Sequence, residues 1–412
     1  MTGTVRLDPA ELEARPEDPF SHLAAARAAS GPVHQATNGM WCVLGRAEAD
    51  AVLRDRRFVS GPIGALYRQL LPPGAAHDEL GHRINFLDPP DHPRVRGIVQ
   101  PVFTARAVAT LGDRIGGLVA GCLDSMRNGS DDGAEVDLLD GFADQVPTAT
   151  ISSLLGVPEE DWARLTALTE RVTRLLSISV DPAAMADALE AAESFRAEAR
   201  RLLADRRASP GEDLLSALAG AGEDGERLQD AELLSLVVTL YSAGHRTTRD
   251  LTANGILELT RHPGLLRRAM EEPELLRPLV QEFLRHQTPT LYIGRVAGED
   301  AEVGGVTVPA GAFVLVVLAA ANRDPAAYDD PDRFDPDRGG PPPLSFAVGP
   351  HHCLGAQLAR AEAEAMVGGL LGAVSELALA DPAPGWRMSG PFRGPTHLRV
   401  RLRWRSGGER PV

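Results

Sequence analysis

The chain has 412 residues, and 43% of them are apolar, so it is long and hydrophobic enough to bury a sizeable core. Its 42 basic and 57 acidic residues give a formal charge of −15, which argues against nucleic acid or an anionic membrane as the main partner. All the basic residues are arginine, which excludes Schiff-base chemistry on lysine and any phosphate loop that needs lysine.

The N-terminal segment has no apolar stretch of the signal-peptide type. The two most apolar stretches, Leu233–Gly244 and Phe313–Ala321, are far shorter than the ~20 residues that a membrane span needs. Three cysteines are too few for a disulfide framework and fit a reducing compartment. We therefore expect a soluble, cytoplasmic protein.

Most of the first 290 residues follow a helical pattern that proline and glycine interrupt. Two clear examples are Pro182–Arg207 and Asp230–Arg261, and we expect Asp230 to cap the second helix. No internal repeat or linker is apparent. The sequence therefore predicts one large domain over residues 1–412, without a fused reductase.

The character of the chain changes after residue 295. Val303–Val306 predicts a hairpin turn, and the β-branched residues of Phe313–Leu318 predict a strand. The segment Asn322–Pro343 predicts irregular coil, and Leu354–Leu371 predicts a helix. Apolar residues alternate with arginine over 398–405, which is typical of a strand with one solvated face. We therefore expect a mainly α fold with a small β part.

The first motif along the chain is Asp-Pro-Pro-Asp-His-Pro-Arg-Val-Arg at positions 88–96. His92 and Arg96 are four residues apart, so on a helix they project together and can pair with one anionic group. The same residues also fit a capped helix start with a solvated basic face.

The second motif is Ser-Ala-Gly-His-Arg-Thr-Thr at positions 242–248, within the long helix predicted at Asp230–Arg261. The small residues Ala243 and Gly244 let another group approach the backbone closely, and Gly244 can loosen the helical hydrogen-bond ladder. Close packing against another helix explains these residues equally well.

The third motif pairs Glu282 with Arg285, three residues apart on one predicted helix face. That spacing alone is typical of an ordinary ion pair. Pro289 and Arg295 follow it, and Asp-Arg-Phe at 332–334 comes later.

The fourth motif is Phe-Ala-Val-Gly-Pro-His-His-Cys-Leu-Gly at positions 346–355, just before a predicted helix. The helix N-terminus and nearby backbone N–H groups favour the anionic form of Cys353. A cysteine before a helix is usually structural, but the complete pattern resembles the haem-thiolate loop of the cytochrome P-450 family. Ala347 departs from that pattern, because the family usually has glycine there.

The other motifs match the same family in the expected order, so the resemblance covers nearly the whole chain. It implies the cytochrome P-450 fold, a triangular-prism helical domain around a buried haem b, with Cys353 as the ligand of the iron. It also implies that Glu282, Arg285 and Arg333 form a structural network beneath the haem. The other residues that would bind the cofactor are His92, Arg96, Arg295, Phe346, His351 and Gly355.

In the family, the motif around Gly244 forms an oxygen-binding groove over the haem. The resemblance therefore implies catalytic roles for Ala243, Gly244 and Thr247, with Thr247 helping to deliver protons. The family usually has an acid just before this threonine, but here the residue is Arg246. Arginine cannot relay protons, because its pKa exceeds ~12.

Three explanations of Arg246 stay open, which is why it is also a candidate catalytic residue. It could turn outward and pair with Asp250, or protons could arrive by another route, through Thr247, Thr248, water or the substrate. It could also face the pocket and bind a carboxylate. That would resemble the fatty-acid peroxygenase and decarboxylase branch of the family, which lacks the threonine present here.

The residues that would line the substrate pocket can be placed only by resemblance. They are mainly apolar or small, which favours a small, mainly apolar substrate. They are Ile84, Phe86, Thr239, Ser242, Leu291, Ile293 and Phe392.

The sequence contains no Gly-x-Gly-x-x-Gly fingerprint and no cysteine cluster, so we expect electrons from separate partners, a ferredoxin and its NAD(P)H-dependent reductase. Lysine codons are A-rich, so the absence of lysine points to a high-G+C bacterial genome. The resemblance thus implies a monooxygenase of bacterial specialised metabolism. The alternatives are a peroxide-driven haem enzyme whose carboxylate substrate is held by Arg246, and a non-catalytic haem protein.

Overall fold

Helices dominate the computed structural model, which describes residues 6–178, 181–223 and 228–405. Between and beside the α-helices lie short 3-10 turns at Ile84–Phe86, Gln100–Phe103, Thr173–Leu176 and Pro273–Leu275, and a π turn at Leu139–Ala143. The α-helices of the described residues are α1 (Pro9–Ala14), α2 (Pro19–Ser30), α3 (Arg46–Arg54), α4 (Gly61–Leu70), α5 (Ala75–His82), α6 (Asp91–Val99), α7 (Ala105–Ala109), α8 (Gly112–Gly129), α9 (Gln145–Leu155), α10 (Glu159–Val172), α11 (Pro182–Ala208), α12 (Leu214–Glu223), α13 (Asp230–Thr260), α14 (Pro263–Glu271), α15 (Leu276–His286), α16 (Leu318–Ala321) and α17 (Ala356–Ala373).

The strands of the described residues form one mixed sheet of order β1-β2-β8-β5-β3, one sheet of order β4-β12-β9, and the hairpins β6–β7 and β10–β11. Among the paired strands of the described residues, β2 and β8 alone run parallel. Their bounds are β1 (Val33–Gln35), β2 (Trp41–Val43), β3 (Phe58–Val59), β4 (Glu135–Asp137), β5 (Ile293–Ala297), β6 (Ala301–Val303), β7 (Val306–Val308), β8 (Phe313–Val316), β9 (Val374–Leu379), β10 (Trp386–Ser389), β11 (Phe392–Pro395) and β12 (Arg399–Trp404).

The predicted mainly α fold with a small β part is confirmed, as are its long helices and the turn between β6 and β7, where Gly304 and Gly305 both have positive φ. Two details were wrong. The cap of α13 is Gln229, which forms a capping box with Glu232, rather than Asp230. The strands β1, β2, β3 and β4 were also missed, because two or three residues are too few to show a two-residue period.

The central helix α13 positions the site. It packs against α5, α9, α10, α11, α15 and α17 and against β11, and most of its side chains are buried. Its length of 31 residues therefore comes from tertiary packing on all sides. Among the described residues, we find no helix with both the length and the apolar character that crossing a membrane requires.

Candidate active site

An open patch interrupts the buried surface of α13. Ala243 is exposed and Gly244 and Thr247 are half-buried, although their neighbours Ser242, Arg246 and Thr248 are buried. The Thr247 hydroxyl donates to the carbonyl oxygen of Ala243 at 2.8 Å. Exposure in the middle of an otherwise buried helix means that this stretch lines an internal space.

Gly244 has a packing role that the sequence left open. A Cβ atom built at this position would lie 2.7 Å from Cδ1 of Ile151, a residue of α9. The missing side chain therefore lets α13 approach α9 closely. The helix-packing interpretation of Gly244 is confirmed, while Ala243 and Thr247 provide the surface that faces the open space.

The Cys353 thiol lies in a tight loop before α17. The Cys353 N–H donates to the carbonyl oxygen of Phe346 at 2.9 Å, and the Gly355 N–H bonds to the sulfur. Burial raises the pKa of the thiol, whereas the Gly355 N–H and the charges of Arg96 and Arg360 lower it. Cys353 nevertheless keeps exposed surface, as a ligand-binding thiol must.

The loop before Cys353 is sterically constrained. Gly349 has a φ of 76°, and a Cβ atom there would lie 2.3 Å from the Leu53 carbonyl oxygen. Ala347 has a φ of 53°, in the left-handed region that costs an alanine about 1–2 kcal/mol. This strain explains why glycine suits position 347, and here Ala347 belongs to a buried core cluster, which partly offsets the cost.

Four basic residues meet near the thiol. The rings of His92 and His351 have centroids 4.1 Å apart, and His92 and Arg295 are buried. Burial, followed by the charges of Arg295, His92 and Arg96, lowers the pKa of His351 to about 3. Burial also lowers the pKa of Arg295 to about 10. These groups repel one another and are costly to bury together.

This basic cluster requires an anion. Within the described chain, neither Arg96 nor Arg295 has a carboxylate within ion-pairing distance. Asp88 acts on Arg295 only at longer range, because its carboxylate accepts from the backbone N–H groups of Ser60 and Gly61. A dianionic group with a metal centre could bind between this cluster and the Cys353 thiol: its negative charges would compensate the basic cluster, and its metal would bind the thiol. The residues present therefore fit the haem that the resemblance implies.

The ion pair of Glu282 and Arg285 is buried and bidentate, with both N···O distances at 2.7 Å. Arg285 also donates to the carbonyl oxygens of Asn322, Pro331 and Arg333, which holds the irregular segment 322–343 in place. These contacts give the pair a structural role, as the family resemblance implied.

The prediction that Arg333 is the third member of this network was wrong. Its side chain is 64% exposed and pairs with Asp335, so it contributes only its carbonyl oxygen. Arg338 takes the place instead: its side chain is 11% exposed and contacts Glu282 at 3.3 Å. Arg338 also donates to the carbonyl oxygens of Asp329 and Asp330. Within an irregular segment, sequence position does not reveal which arginine turns inward.

Arg246 does not turn outward to solvent, which was one of the three explanations. Its side chain is buried, with one guanidinium nitrogen 2.9 Å from Glu170 of α10 and another 3.4 Å from Asp250. The expected contact with Asp250 is therefore present, but in the interior. Arg249 and His245 extend this network, and both contact Asp144. Two carboxylates compensate the charge of Arg246.

The predicted substrate-lining residues fall into three groups. Leu291 is wrong as a lining residue, because it is fully buried in a core cluster between β8 and α2. Thr239 and Ser242 are buried, and both contact Arg83, a residue that sequence reasoning missed. The half-buried residues, which keep some free surface, are Ile84, Phe86, Ile293 and Phe392.

Sequence reasoning also missed Glu362, a buried carboxyl group of α17. Its carboxyl group lies near the hydroxyl groups of Thr150 of α9 and Thr248 of α13. Burial raises its pKa to about 8, although these hydroxyl groups lower it, so the folded protein keeps it protonated at neutral pH. No local pattern distinguishes it from the solvated glutamates of a helix.

We predict that Glu362→Gln stabilises the protein more as the pH rises. The folded-state pKa lies above the ordinary value of 4.5, so folding takes up a proton, and the wild type loses stability between about pH 4.5 and pH 8. Glutamine has no such loss. Between pH 5 and pH 6.5, the difference in unfolding free energy between Glu362→Gln and the wild type should increase by about 2 kcal/mol, as measured by urea titration. If the unfolding free energies of the two proteins changed equally with pH, the prediction would be contradicted.

Comparison with known proteins agrees with this geometry. A family model described as cytochrome P-450 matches residues 75–373. The chain is 38% identical over 401 residues to the cytochrome P-450 monooxygenase PikC of Streptomyces venezuelae, which covers 95% of this chain and 92% of the relative. It is 35% identical to the erythromycin C-12 hydroxylase of Saccharopolyspora erythraea, over 80% of this chain and 81% of that enzyme. The crystal structure of CalO2 matches with a TM-score of 0.89 and 32% identity, over 97% of this chain and 99% of its own.

The chain therefore belongs to the cytochrome P-450 family. The predicted cytochrome P-450 fold is confirmed. The protein is an oxidoreductase of the monooxygenase class, and its cofactor is haem b.

Proposed function

We propose that this monooxygenase hydroxylates or otherwise oxidises a small, mainly apolar molecule of bacterial specialised metabolism. Dioxygen is the oxidant, and a ferredoxin with its NAD(P)H-dependent reductase supplies the electrons. The observation that carries the proposal is the open patch of Ala243 and Thr247 on a buried helix, with a hydroxyl group at its edge. Relatives named as PikC monooxygenase and erythromycin C-12 hydroxylase support the metabolic setting.

The roles of the chain follow from this placement. Haem, when bound, supplies the activation of dioxygen. Cys353 would hold the iron, and Gly355 would stabilise the thiolate through its N–H group. Thr247 would present a hydroxyl at the oxygen-binding patch and pass protons to it. The residues that would hold the cofactor carboxylates are His92, Arg96, Arg295 and His351.

The burial of Arg246 favours the dioxygen-dependent reaction over the peroxide-driven alternative. A residue that binds a substrate carboxylate needs an uncompensated charge at the pocket surface. Arg246 has no exposed surface and pairs with Glu170 and Asp250. A substrate carboxylate would have to reach a guanidinium that has no exposed surface and whose charge two carboxylates already compensate, at a cost in free energy.

The side chains near the thiol suit an acidic electron donor. Arg360 stacks on the Phe346 ring, with its guanidinium carbon 4.6 Å from the ring centroid, and acts on the Cys353 sulfur. The exposed Arg277 lies close enough to lower the pKa of Arg360. Local basic residues can attract a ferredoxin in spite of the net charge of −15. The cytoplasmic location and the single domain without a fused reductase stay predictions.

Substitution of Thr247 tests the proposed function. The holoenzyme is supplied with a ferredoxin, its reductase and NAD(P)H, and apolar molecules are screened until one is oxidised. With that molecule, we expect Thr247→Ala to convert about tenfold less of the consumed dioxygen into product and to release more as peroxide, in line with the loss of one proton-transfer group. Oxygen uptake, product and peroxide are measured together.

The neighbouring Thr248 provides the matched control. It is buried and lies near the Glu362 carboxyl group instead of facing the open patch, so Thr248→Ala should keep the wild-type yield of product per dioxygen. The proposal fails if the wild type oxidises the screened molecules with peroxide alone and never with the reductase pair. It fails equally if both threonine variants lower the yield to the same extent.

A further inference from the structure

A buried ion pair joins α5 to the helix that carries the oxygen-binding patch. Arg83 donates from Nε to the Oε1 atom of Glu79 at 2.8 Å, and both side chains are at least 94% buried. Arg83 also donates to the hydroxyl oxygens of Thr239 and Ser242, each at 3.3 Å. Because Ser242 directly precedes Ala243, the pair lies next to the open patch.

One oxygen of this pair has no partner. Oε1 of Glu79 accepts from both Arg83 and Thr239, whereas Oε2 is buried and has no hydrogen bond among the described residues. A buried carboxylate oxygen without a donor is costly, and burial raises the pKa of Glu79 in spite of the charge of Arg83. The site therefore lacks one hydrogen-bond donor.

Glu79 also lies in the wall of a cavity of about 220 Å³ between α5, α11 and α13. Half of the lining residues are apolar, including Val172, Ala192, Leu234 and Val238, and the others include the exposed charged residues Arg200 and Asp230. Small-molecule sites combine apolar walls with a few polar groups, and the buried Oε2 atom of Glu79, which has no partner among the described residues, is a polar group that can fix the orientation of a ligand.

The chemistry of the missing donor follows from the charges around it. Arg83 already compensates the charge of Glu79, and the cavity rim carries both Arg196 and Asp78, which pair with each other at 3.0 Å. An ammonium group would add an uncompensated charge to this balanced site. A hydroxyl group supplies the donor without any charge.

We propose that the substrate is an apolar molecule that already carries a hydroxyl group, and that this hydroxyl donates to Oε2 of Glu79. Glu79 is then a binding residue that sets the specificity, and Arg83, Thr239 and Ser242 position it. This inference rests on the proposed function, because it assumes that the ligand reaches from this cavity to the patch at Ala243.

Cyclododecanol and cyclododecanone test the proposal as a matched pair of probes. Both have a twelve-membered ring, but only the alcohol can donate a hydrogen bond. We expect the holoenzyme to bind the alcohol about tenfold more tightly, as a hydrogen bond to a carboxylate predicts. In Glu79→Gln, the side-chain amide can donate to the ketone, so the preference should shrink or reverse. Dissociation constants are measured by isothermal titration calorimetry.

Two further variants keep the result interpretable. Glu79→Asp retains the charge but withdraws the oxygen by one methylene group, so it should lose the preference for the alcohol even if Glu79→Gln does not fold. Glu232→Gln alters another buried glutamate that pairs with an arginine, Arg94, outside this cavity, and it should keep the preference.

The proposal is overturned if the wild type binds alcohol and ketone equally, as expected if water satisfies Glu79, or if the Glu79 variants keep the preference. Failure of the proposed function is detected separately. In that case the protein lacks the haem-thiolate spectrum or does not use electrons from ferredoxin, whatever its preference between the two probes.

Discussion

Replacement of Arg246 by leucine is expected to lower the free energy of unfolding by about 3–5 kcal/mol. The side chain is fully buried, and its loss would remove one of the two arginines, Arg246 and Arg249, that pair with both Glu170 and Asp250. An outward-facing arginine on a helix surface would contribute only a few tenths of a kcal/mol. Urea denaturation of the two proteins at neutral pH measures the difference.

Arg54 provides a control of the same kind. It also pairs with an aspartate four residues away, Asp50, but its side chain is 59% exposed, so Arg54→Leu should leave the unfolding free energy unchanged within error. If Arg246→Leu behaves like Arg54→Leu, the buried network has no energetic importance, and the structural account of this helix is wrong.

The cost of removing Arg246 should also depend on pH. Burial opposes ionisation of Glu170, but Arg246, Arg249 and Arg387 together lower its pKa to about 2. A carboxyl group with a lowered folded-state pKa stabilises the protein above the ordinary value of 4.5, and this contribution is lost as the pH falls toward 2. The difference in unfolding free energy between the wild type and Arg246→Leu should therefore decrease below about pH 4.5.

Replacement of Arg285 by leucine should also lower the free energy of unfolding by about 3–5 kcal/mol. It would leave the charge of Glu282 with only the longer ionic contact to Arg338, and it would remove a hydrogen bond from each of three carbonyl groups of the segment 322–343. Because this segment leads into the Cys353 loop, haem content should fall together with stability. Urea denaturation and the absorbance of bound haem report the two effects.

Two arginines of the same segment distinguish the observed network from the predicted one. Arg338→Ala removes a charged contact to Glu282 and should lower the free energy of unfolding by about 2 kcal/mol. Arg333→Ala removes only an exposed pair with Asp335 and should stay within about 0.5 kcal/mol. The reverse order would restore Arg333 to the network and contradict the structure.

The features that the sequence predicted well are local. The helix over Asp230–Arg261, the loop before Cys353 and the i,i+3 pairing of Glu282 with Arg285 each depend on residues that are close together in the chain. His92 and Arg96 were found in the same way, because four residues of helix place them on one face.

The features that it could not predict depend on distant partners. Arg246 is buried because Glu170, 76 positions earlier, meets it from α10. Leu291 lies in a core cluster with Leu23 of α2 and Leu315 of β8, which are distant in the chain. Glu79 stands out only in the structure, where it bonds to Arg83 and Thr239 through one oxygen and the other oxygen has no partner among the described residues. No periodicity in the sequence records such encounters between separate helices.

The contact between Gly244 and Ile151 has a consequence for the volume of the active site. Because Gly244 lies directly against the Ile151 side chain, the side-chain volume at position 151 fixes how far α13 can retreat from the substrate. Position 151 therefore acts as a spacer behind the open patch of Ala243 and Thr247, for which we propose an oxygen-binding role. A smaller residue there would deepen the active site and a larger one would make it shallower, without any change in the residues that touch the substrate.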